Sequence, residues 1–182
     1  MPPDLENPWR SFLTDLDSQL TNDVQLHCAG GFVVTAAYGF TRTTADLDVL
    51  SVVPMTEQRE LAAIAGRGSK LHRAHGVYLD VVTVATVPES YEDRLTDLFP
   101  GRFTCLRLLA LDAYDLVLAK LGRNADRDRA DLAYLAAAVP LESAVLKDRY
   151  YREMRDYVAV PAREDLTLDL WLEIIEETRN RH

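Results

Sequence analysis

The segment from Asp46 to Val53 constrains the fold more than any other part of the chain. Its sequence, Asp-Leu-Asp-Val-Leu-Ser-Val-Val, is rich in β-branched residues and is followed by Pro54, so it predicts a β-strand. On a strand, residues two positions apart project from the same face. Asp46 and Asp48 would therefore share one face, while the apolar residues between and after them point into the core.

Patterns of strand and helix alternate along the first part of the chain and give way to helices after residue 111. Strands are predicted over Gln25 to Ala29, Asp46 to Val53, Val77 to Val84 and Phe103 to Leu111. Helices are predicted over Pro8 to Leu20, Phe32 to Tyr38, Thr56 to Ala65 (with Thr56 as the cap) and Pro88 to Phe99. A basic, glycine-bearing loop is predicted over Gly66 to Gly76.

Only helical patterns follow residue 111. They cover Asp112 to Leu121 (with Asp112 as the cap), Asp128 to Ala138, Leu141 to Val158, and a last helix with Leu168, Trp171, Leu172 and Ile175 on one stripe. We therefore expect an α/β (α+β) fold with a mixed sheet flanked by helices. The catalytic core would cover residues 1–111, and a C-terminal helical region would cover residues 112–182.

Composition and charge narrow the classes of function. The chain has 182 residues and a formal net charge of −9, whereas a general nucleic-acid coat protein usually has a broad basic face. No run approaches the ~20 apolar residues of a membrane-spanning helix, and the N-terminus lacks the pattern of a signal peptide. Cys28 and Cys105 have no metal-ligand spacing, so we expect buried free thiols. These features predict a cytoplasmic protein without membrane contact.

An Asp-x-Asp triplet occurs three times, at Asp15/Asp17, Asp46/Asp48 and Asp126/Asp128. On a helix, residues two apart point ~200° apart around the axis, so the first pair cannot converge on one ion and is interpreted as a solvated helix face. The last pair lies at a helix start, where acidic side chains complement the dipole. The middle pair alone is predicted to lie on a strand.

Two carboxylates on one strand face repel each other unless a cation neutralises them. Hard oxygen ligands of this kind suit Mg²⁺ or Mn²⁺. Asp80 is the natural third ligand, because it interrupts an apolar strand in which a lone acid is costly. Two alternatives stay open: Asp46 and Asp48 pair with Arg42, and Asp80 faces water from an edge strand.

Gly30 and Gly31 lie between a predicted strand and a predicted helix. Two glycines at such a point let backbone N–H groups approach a phosphate, and the helix N-terminus favours an anion. A tight turn is the alternative for this pair by itself. Because Asp46 and Asp48 follow shortly afterwards on a strand, we interpret the glycines as half of a nucleotide site.

The chain has one local positive cluster, made of Arg67, Lys70, His72, Arg73 and His75. Such a cluster could contact the phosphates of an RNA acceptor. A solvated loop is the alternative. The sequence therefore allows a nucleic-acid substrate at one place on an otherwise acidic protein.

Gly30-Gly31, followed by Arg42-Thr43-Thr44-Ala45-Asp46-Leu47-Asp48, resembles the signature of the DNA polymerase β-like nucleotidyltransferase superfamily. The Arg-Thr-x-x-Asp-x-Asp motif especially resembles that of the bacterial abortive-infection toxin branch (type IV toxin–antitoxin). It also resembles that of related minimal nucleotidyltransferases. A looser second match covers Asp115 to Leu121 and Arg127 to Asp131. The resemblance spans roughly Gln25 to Leu135.

The resemblance implies a metal-dependent enzyme that transfers a nucleoside monophosphate from an NTP to a hydroxyl of RNA (tRNA included), protein or a small molecule. It implies catalytic and metal-binding roles for Asp46, Asp48 and Asp80, with Mg²⁺ or Mn²⁺ as the cofactor. Nucleotide contacts would come from Gly30, Gly31, Arg42, Thr44 and Lys120. A toxin role would add a cognate antitoxin protein as a partner.

Several alternatives accompany these roles. Lys120 could extend along its helix without contacting a nucleotide, and Arg42 could only brace the aspartates. Asp128 and Asp131 lie on one helix face and are expected to hold Lys120 or Arg127. At the level of the whole protein, the main rival is a catalytically degenerate nucleotidyltransferase fold that binds nucleotide or regulates a partner. A small-molecule modifier is a third possibility.

Overall fold

The computed structural model describes residues 5–180 as a mixed α/β structure, which confirms the predicted fold class. The strands are β1 (Val24–Ala29), β2 (Asp46–Val53), β3 (Tyr78–Val81), β4 (Thr96–Asp97) and β5 (Leu106–Ala110). The first four helices are α1 (Trp9–Asp17), α2 (Gly30–Tyr38), α3 (Gln58–Ala65) and α4 (Lys70–His75). The last four are α5 (Ala113–Leu118), α6 (Asp126–Ala138), α7 (Ser143–Glu153) and α8 (Pro161–Arg179).

The chain forms two compact units. The first contains the chain up to Thr83 together with Leu95–Ala110, and the second contains Val84–Arg94 together with the chain from Leu111 onward. Of residues 5–180, those in the five strands all belong to the first unit. The predicted division into domains at residues 111 and 112 stays a prediction. No helix within the described part of the chain combines the length and the apolar composition that crossing a bilayer requires.

The five strands form one mixed sheet in the order β3-β2-β1-β5-β4. β2 runs antiparallel to β1 and parallel to β3, while β5 runs parallel to β1 and antiparallel to β4. The central strand β1 is almost entirely buried, because it has a neighbour on each side and helices nearby. β3 lies at one edge of the sheet, so its polar residues can reach solvent.

β2 contains a bulge immediately after its acidic half. Val49 pairs with Cys28 and Ser51 pairs with His27, so Leu50 is an extra residue in β2. A bulge changes the phase of the alternation between inward and outward side chains. Alternate residues of β2 are buried up to the bulge, and the pattern shifts by one position after it. Both ends of the strand can therefore contribute to the core while the acidic face is kept at its start.

The second unit is built on buried helix faces. The stripe predicted on the last helix is confirmed, because Leu168, Trp171, Leu172 and Ile175 are all buried on α8. The cap predicted for α5 is also confirmed: the Asp112 carboxylate accepts the N–H of Asp115 at 2.9 Å. Burial of this apolar surface is the main force holding such helices together.

The prediction for Gly66 to Gly76 was wrong, because this segment contains α4 and is not simply a loop. The Ser69 hydroxyl caps α4 by accepting the N–H of His72 at 3.1 Å. Ser69 is a favourable N-cap residue, and its place before Lys70 is the sequence signal for this short helix. The helix ends at Gly76, which has a positive φ of 75°.

The prediction of a helix over Pro88 to Phe99 was also wrong. The structure has a short 3-10 turn at Tyr91–Arg94 and then β4, which pairs with β5. The Arg94 side chain is tied to Asp115 and Glu153, so contacts distant in sequence override the local pattern. The pairing of Thr96 and Asp97 with β5 also overrides the local helical pattern.

Other boundaries differ more modestly. Thr56 does not cap α3, because it lies inside the 3-10 turn Met55–Glu57 and α3 begins at Gln58. β3 ends at Val81, three residues earlier than predicted. Both cysteines are free, but only Cys28 is buried, and burial raises the pKa of its thiol; Cys105 is half-buried.

Asp17 does not belong to a solvated helix face, contrary to the prediction. Its carboxylate accepts the backbone N–H groups of Thr104 at 2.9 Å, Cys105 at 2.8 Å and Leu106 at 2.9 Å. These bonds fix the first residue of β5 against the end of α1. Asp15 remains exposed and contacts His75 at 2.8 Å.

We predict that Asp17→Ala lowers the free energy of unfolding by about 1.5–3 kcal/mol, because it removes hydrogen bonds to a charged acceptor. Asp15→Ala is the matched control, since it removes an exposed contact on the same helix and should cost below about 1 kcal/mol. Urea titrations followed by circular dichroism measure both values. Equal losses in the two variants would contradict the role given to Asp17.

Candidate active site

The three predicted acids lie on one face of two neighbouring strands. In the parallel pairing of β2 with β3, Asp48 is opposite Asp80 and Asp46 is opposite Tyr78. Residues paired in this way project from the same face, with strands about 4.7–4.9 Å apart. Asp46, Asp48, Asp80 and Tyr78 therefore share one face of the sheet, here called the acidic face.

The Gly30 backbone turns directly beside Asp48. Ala29, the last residue of β1, pairs with Asp48, so the chain enters α2 next to that carboxylate. Gly30 has a φ of 74°, and a methyl group at this position would overlap the Asp48 carboxylate. The position therefore needs glycine for two separate reasons. The two glycines form the first turn of α2, which places the positive end of its helix dipole beside the acidic face.

Gly31 is covered by the predicted nucleotide-binding residues of the following loop. A methyl group at Gly31 would overlap the guanidinium of Arg42 and lie 3.6 Å from the Thr44 hydroxyl. The Thr44 hydroxyl lies 3.0 Å from a carboxylate oxygen of Asp46 and 3.0 Å from the Asp46 backbone carbonyl oxygen, so it can donate to either. Gly31, Arg42 and Thr44 are thus brought next to the start of β2.

The donor set suits a hard cation, although the side chains do not converge as they stand. Among residues 5–180, no three His, Cys, Asp or Glu side chains are grouped closely enough to hold a metal ion. Asp46 is held by Thr44, Asp48 lies against Gly30, and Asp80 is exposed. Carboxylate oxygens on paired strand positions match the chemistry of Mg²⁺ or Mn²⁺. The metal role of all three acids stays a prediction.

Tyr78 belongs to the acidic face but was not among the residues predicted from the sequence. Its ring contacts His72, with centroids 4.9 Å apart, and the Arg67 guanidinium carbon lies 5.8 Å from its centroid. The signal was present in the sequence, because Tyr78 is two residues before Asp80 on the same predicted strand. Part of the basic cluster is thereby placed beside the acidic face.

Other members of the basic cluster make contacts within the first unit. Arg73 donates to the Gly68 carbonyl at 2.5 Å, and His75 contacts Asp15 at 2.8 Å. The Gly68 N–H donates to His72 at 2.9 Å. Arg67, Lys70 and Arg73 are exposed, so these three residues present the positive charge to solvent.

In the second unit, Lys120 is buried and held by acids. Its ammonium donates to Asp131 at 2.6 Å and lies 3.6 Å from Asp128. Asp128 also accepts from Arg123 at 2.8 Å and from the Ala125 N–H at 2.9 Å. Burial opposes ionisation of Asp128, but these bonds outweigh it and lower its pKa. Asp128 and Asp131 therefore hold Lys120, and the nucleotide role of Lys120 stays a prediction.

Asp115, the first residue of the looser motif match, has a structural environment. It is fully buried and accepts from Arg94 at 2.9 Å and from Arg149 at 2.8 Å. Burial raises its pKa, and the hydrogen bonds from the two arginines oppose that rise. This arrangement joins Val84–Arg94 to α5 and α7 within the second unit.

Comparison with known families finds a match. The model of a family described as nucleotidyltransferase of unknown function (DUF6036) matches residues 12–179, which is nearly the whole chain. Neither the search of curated proteins nor the search of solved structures found a match. The matched range contains all the candidate site residues.

We predict that Gly30→Ala destabilises the protein more than Gly76→Ala. Both glycines have φ near 75°, which costs a side-chain-bearing residue about 1–2 kcal/mol, but only Gly30 has an overlapping neighbour; nothing lies within 4 Å of a methyl group at Gly76. Overlap with Asp48 should add about 1–3 kcal/mol. Chemical denaturation of the two variants measures the difference, and equal stabilities would refute the close contact between Gly30 and Asp48.

Proposed function

The chain belongs to this nucleotidyltransferase family, and we propose that it transfers a nucleoside monophosphate from an NTP to a hydroxyl acceptor in a metal-dependent reaction. The observation that carries the proposal is the strand register, in which Asp48 pairs with Ala29 on one side and with Asp80 on the other. This register places two glycines at a helix N-terminus beside an acidic face. The helix N-terminus favours the binding of an anionic phosphate, and the acidic face favours the binding of cations.

In the proposed reaction, the oxygen of the acceptor hydroxyl attacks the α-phosphorus of the NTP. The bond from the α-phosphorus to the bridging oxygen breaks, and pyrophosphate leaves. Asp80 is exposed at the sheet edge and is the proposed acceptor of the hydroxyl proton. Mg²⁺ or Mn²⁺ held by Asp46, Asp48 and Asp80 would supply the positive charge that stabilises the attacking and leaving oxygens.

The remaining residues bind and orient the nucleotide. The N–H groups at the start of α2 would bind a phosphate, because they have no partner within the helix and lie at the positive end of its dipole. Arg42 lies against Gly31 and would neutralise phosphate charge there. The Thr44 hydroxyl fixes the Asp46 carboxylate, so a ligand oxygen is kept in place before the substrate arrives.

For the acceptor we propose RNA, tRNA included. The exposed cations Arg67, Lys70 and Arg73 are here called the α4 surface, and Arg67 lies against Tyr78 on the acidic face. A phosphate backbone bound there would bring a nearby hydroxyl toward the strand that carries Asp80. Because the protein has a formal net charge of −9, nonspecific binding of the anionic RNA to the rest of its surface is unfavourable.

A catalytically degenerate, nucleotide-binding protein is the second candidate function. It is favoured by the arrangement of the side chains, since no three acids within residues 5–180 form a metal cluster as they stand. Such a protein would retain the phosphate contacts of α2 and Arg42 but would not transfer the nucleotide. Binding without transfer separates it from the enzyme.

We extend the first proposal to a cytoplasmic toxin restrained by a cognate antitoxin protein. The support is the resemblance of Arg42 to Asp48 to the abortive-infection branch. On this proposal, modification of tRNA by the unrestrained protein would arrest growth, and both effects would require the acids of β2.

We predict that Asp46→Asn and Asp48→Asn each abolish nucleotide transfer and leave the fold intact, because each removes a charged ligand oxygen without changing the size of the side chain. Asp169→Asn, an exposed change on α8, is the control and should transfer normally. The assay incubates each protein with each radiolabelled NTP, Mg²⁺ and total tRNA, and then detects labelled RNA on a gel. Circular dichroism checks the fold.

Equal transfer by the wild type and both β2 variants would rule out the assignment of these acids. If the wild type binds NTP and transfers none of it to tRNA, protein or a small molecule in cell lysate, the degenerate function replaces the enzyme.

We also predict that Arg67→Ala combined with Lys70→Ala weakens tRNA binding, since each cation that contacts a phosphate contributes to affinity and to its salt dependence. The slope of log Kd against log salt should fall by roughly 0.7–0.9 for each phosphate that the variant no longer neutralises. Arg59→Ala on α3 is an exposed control outside the α4 surface. Filter binding at several salt concentrations measures the slope, and an unchanged slope in the double variant would exclude the α4 surface.

A further inference from the structure

A cavity of about 740 Å³ opens beside the Arg42 to Thr44 segment. Its walls come from the chain before α1, the start of α1, one side of α2, the loop that follows it, and Phe99, all within the first unit. Ligand cavities of about 300–1,000 Å³ hold small molecules of nucleotide size. The cavity is therefore large enough for a nucleoside.

The cavity adjoins the site proposed for the phosphates. Arg42 and Thr44 line it, and the same two side chains cover Gly31 at the start of α2. Thr44 also holds Asp46. A ligand whose phosphates lie at Gly31 could thus extend its other end into the cavity without leaving the first unit.

Four aromatic side chains, Trp9, Phe32, Phe40 and Phe99, are among the residues that line the cavity. The rings of Trp9 and Phe32 meet edge to face with centroids 4.7 Å apart, and Phe40 lies 5.7 Å from the Arg42 guanidinium carbon. Trp9 and Phe32 are buried against each other and Phe40 is half-buried, so these rings offer a heteroaromatic base an apolar surface and edge contacts.

Polar groups stand around these aromatic walls. Hydroxyls come from Thr35, Thr41 and Thr43, and Asn7 and Glu6 add an amide and a carboxylate. These groups can hydrogen-bond the hydroxyls of a sugar or the amino group of a base. The combination of ring-binding walls and polar groups matches a nucleoside better than a purely apolar ligand.

The start of α2 and the acid of β3 lie beside opposite edges of β2. β1 pairs with one edge of β2 and leads into α2, whereas β3 pairs with the other edge and carries Asp80 and Tyr78. Phosphates bound at the start of α2 would therefore leave the β3 side of β2 open to the acceptor.

We propose that this cavity binds the base and ribose of the NTP while the phosphates lie at Gly31 and Arg42. This inference rests on the proposed function, because it names where the donor nucleotide of that reaction binds. It assigns recognition of the base to the first unit, and to Trp9, Phe32 and Phe40 in particular.

The test uses substitutions on α2 that differ in whether they face the cavity. Ala36 lines the cavity and Ala37 does not, although both are half-buried on the same helix. Ala36→Leu should weaken the binding of each NTP roughly tenfold or more, because added methyl groups occupy ligand space. It should leave the Kd for inorganic triphosphate unchanged, and Ala37→Leu should leave both Kd values unchanged.

Isothermal titration calorimetry measures these values on the full chain. A second variant, Thr43→Tyr, narrows the cavity from an exposed position and should produce the same selective loss, so the proposal stays testable if Ala36→Leu fails to fold. As an independent readout, NTP binding should change the tryptophan fluorescence of the wild type, and this change should disappear in Trp9→Phe.

Two results would overturn the inference. If Thr43→Tyr and a folded Ala36→Leu bind NTP as the wild type does while transfer still depends on Asp46 and Asp48, the base binds elsewhere and the proposed function stands. If the wild type binds neither NTP nor inorganic triphosphate, both the cavity assignment and the proposed function fail.

Discussion

The pairing of β2 with both of its neighbours brings together the residues on which the proposed chemistry of this protein depends. One row of the sheet joins Ala29, Asp48 and Asp80, so a glycine turn, a central acid and an edge acid become adjacent through backbone hydrogen bonds. A slip of one residue in β2 would turn its acids toward the core, where unpaired carboxylates are costly. The register that makes the fold stable is therefore the one that forms the acidic face.

Around that row, small residues and polar contacts prepare the site electrostatically. Gly30 lets the Asp48 carboxylate lie against the first turn of α2, and Thr44 orients Asp46 from the preceding loop. The helix dipole offsets part of the negative charge of the acidic face. In the proposed function a cation would offset the rest, so that adjacent like charges could be maintained at the start of one strand.

Features specified within a few residues could be predicted from the sequence, and features that depend on distant contacts could not. The bounds of β2, the end of α2 at Tyr38 and the Asp112 cap follow from local signals, and the structure confirms them. Asp17 was misinterpreted because its three hydrogen bonds are made to a segment almost ninety positions away, and such contacts leave no local pattern. The prediction for the 88–99 segment failed for the same reason.

The central claim is that Asp46, Asp48 and Asp80 hold a common cation, and electron paramagnetic resonance of bound Mn²⁺ tests it without any assumption about the substrate. Wild type and Asp169→Asn should bind Mn²⁺ with the same affinity. Asp48→Asn and Asp80→Asn should each bind it at least roughly tenfold more weakly, since loss of a charged ligand to a divalent ion costs more than about 1.4 kcal/mol. Undiminished Mn²⁺ affinity in both variants would contradict the claim.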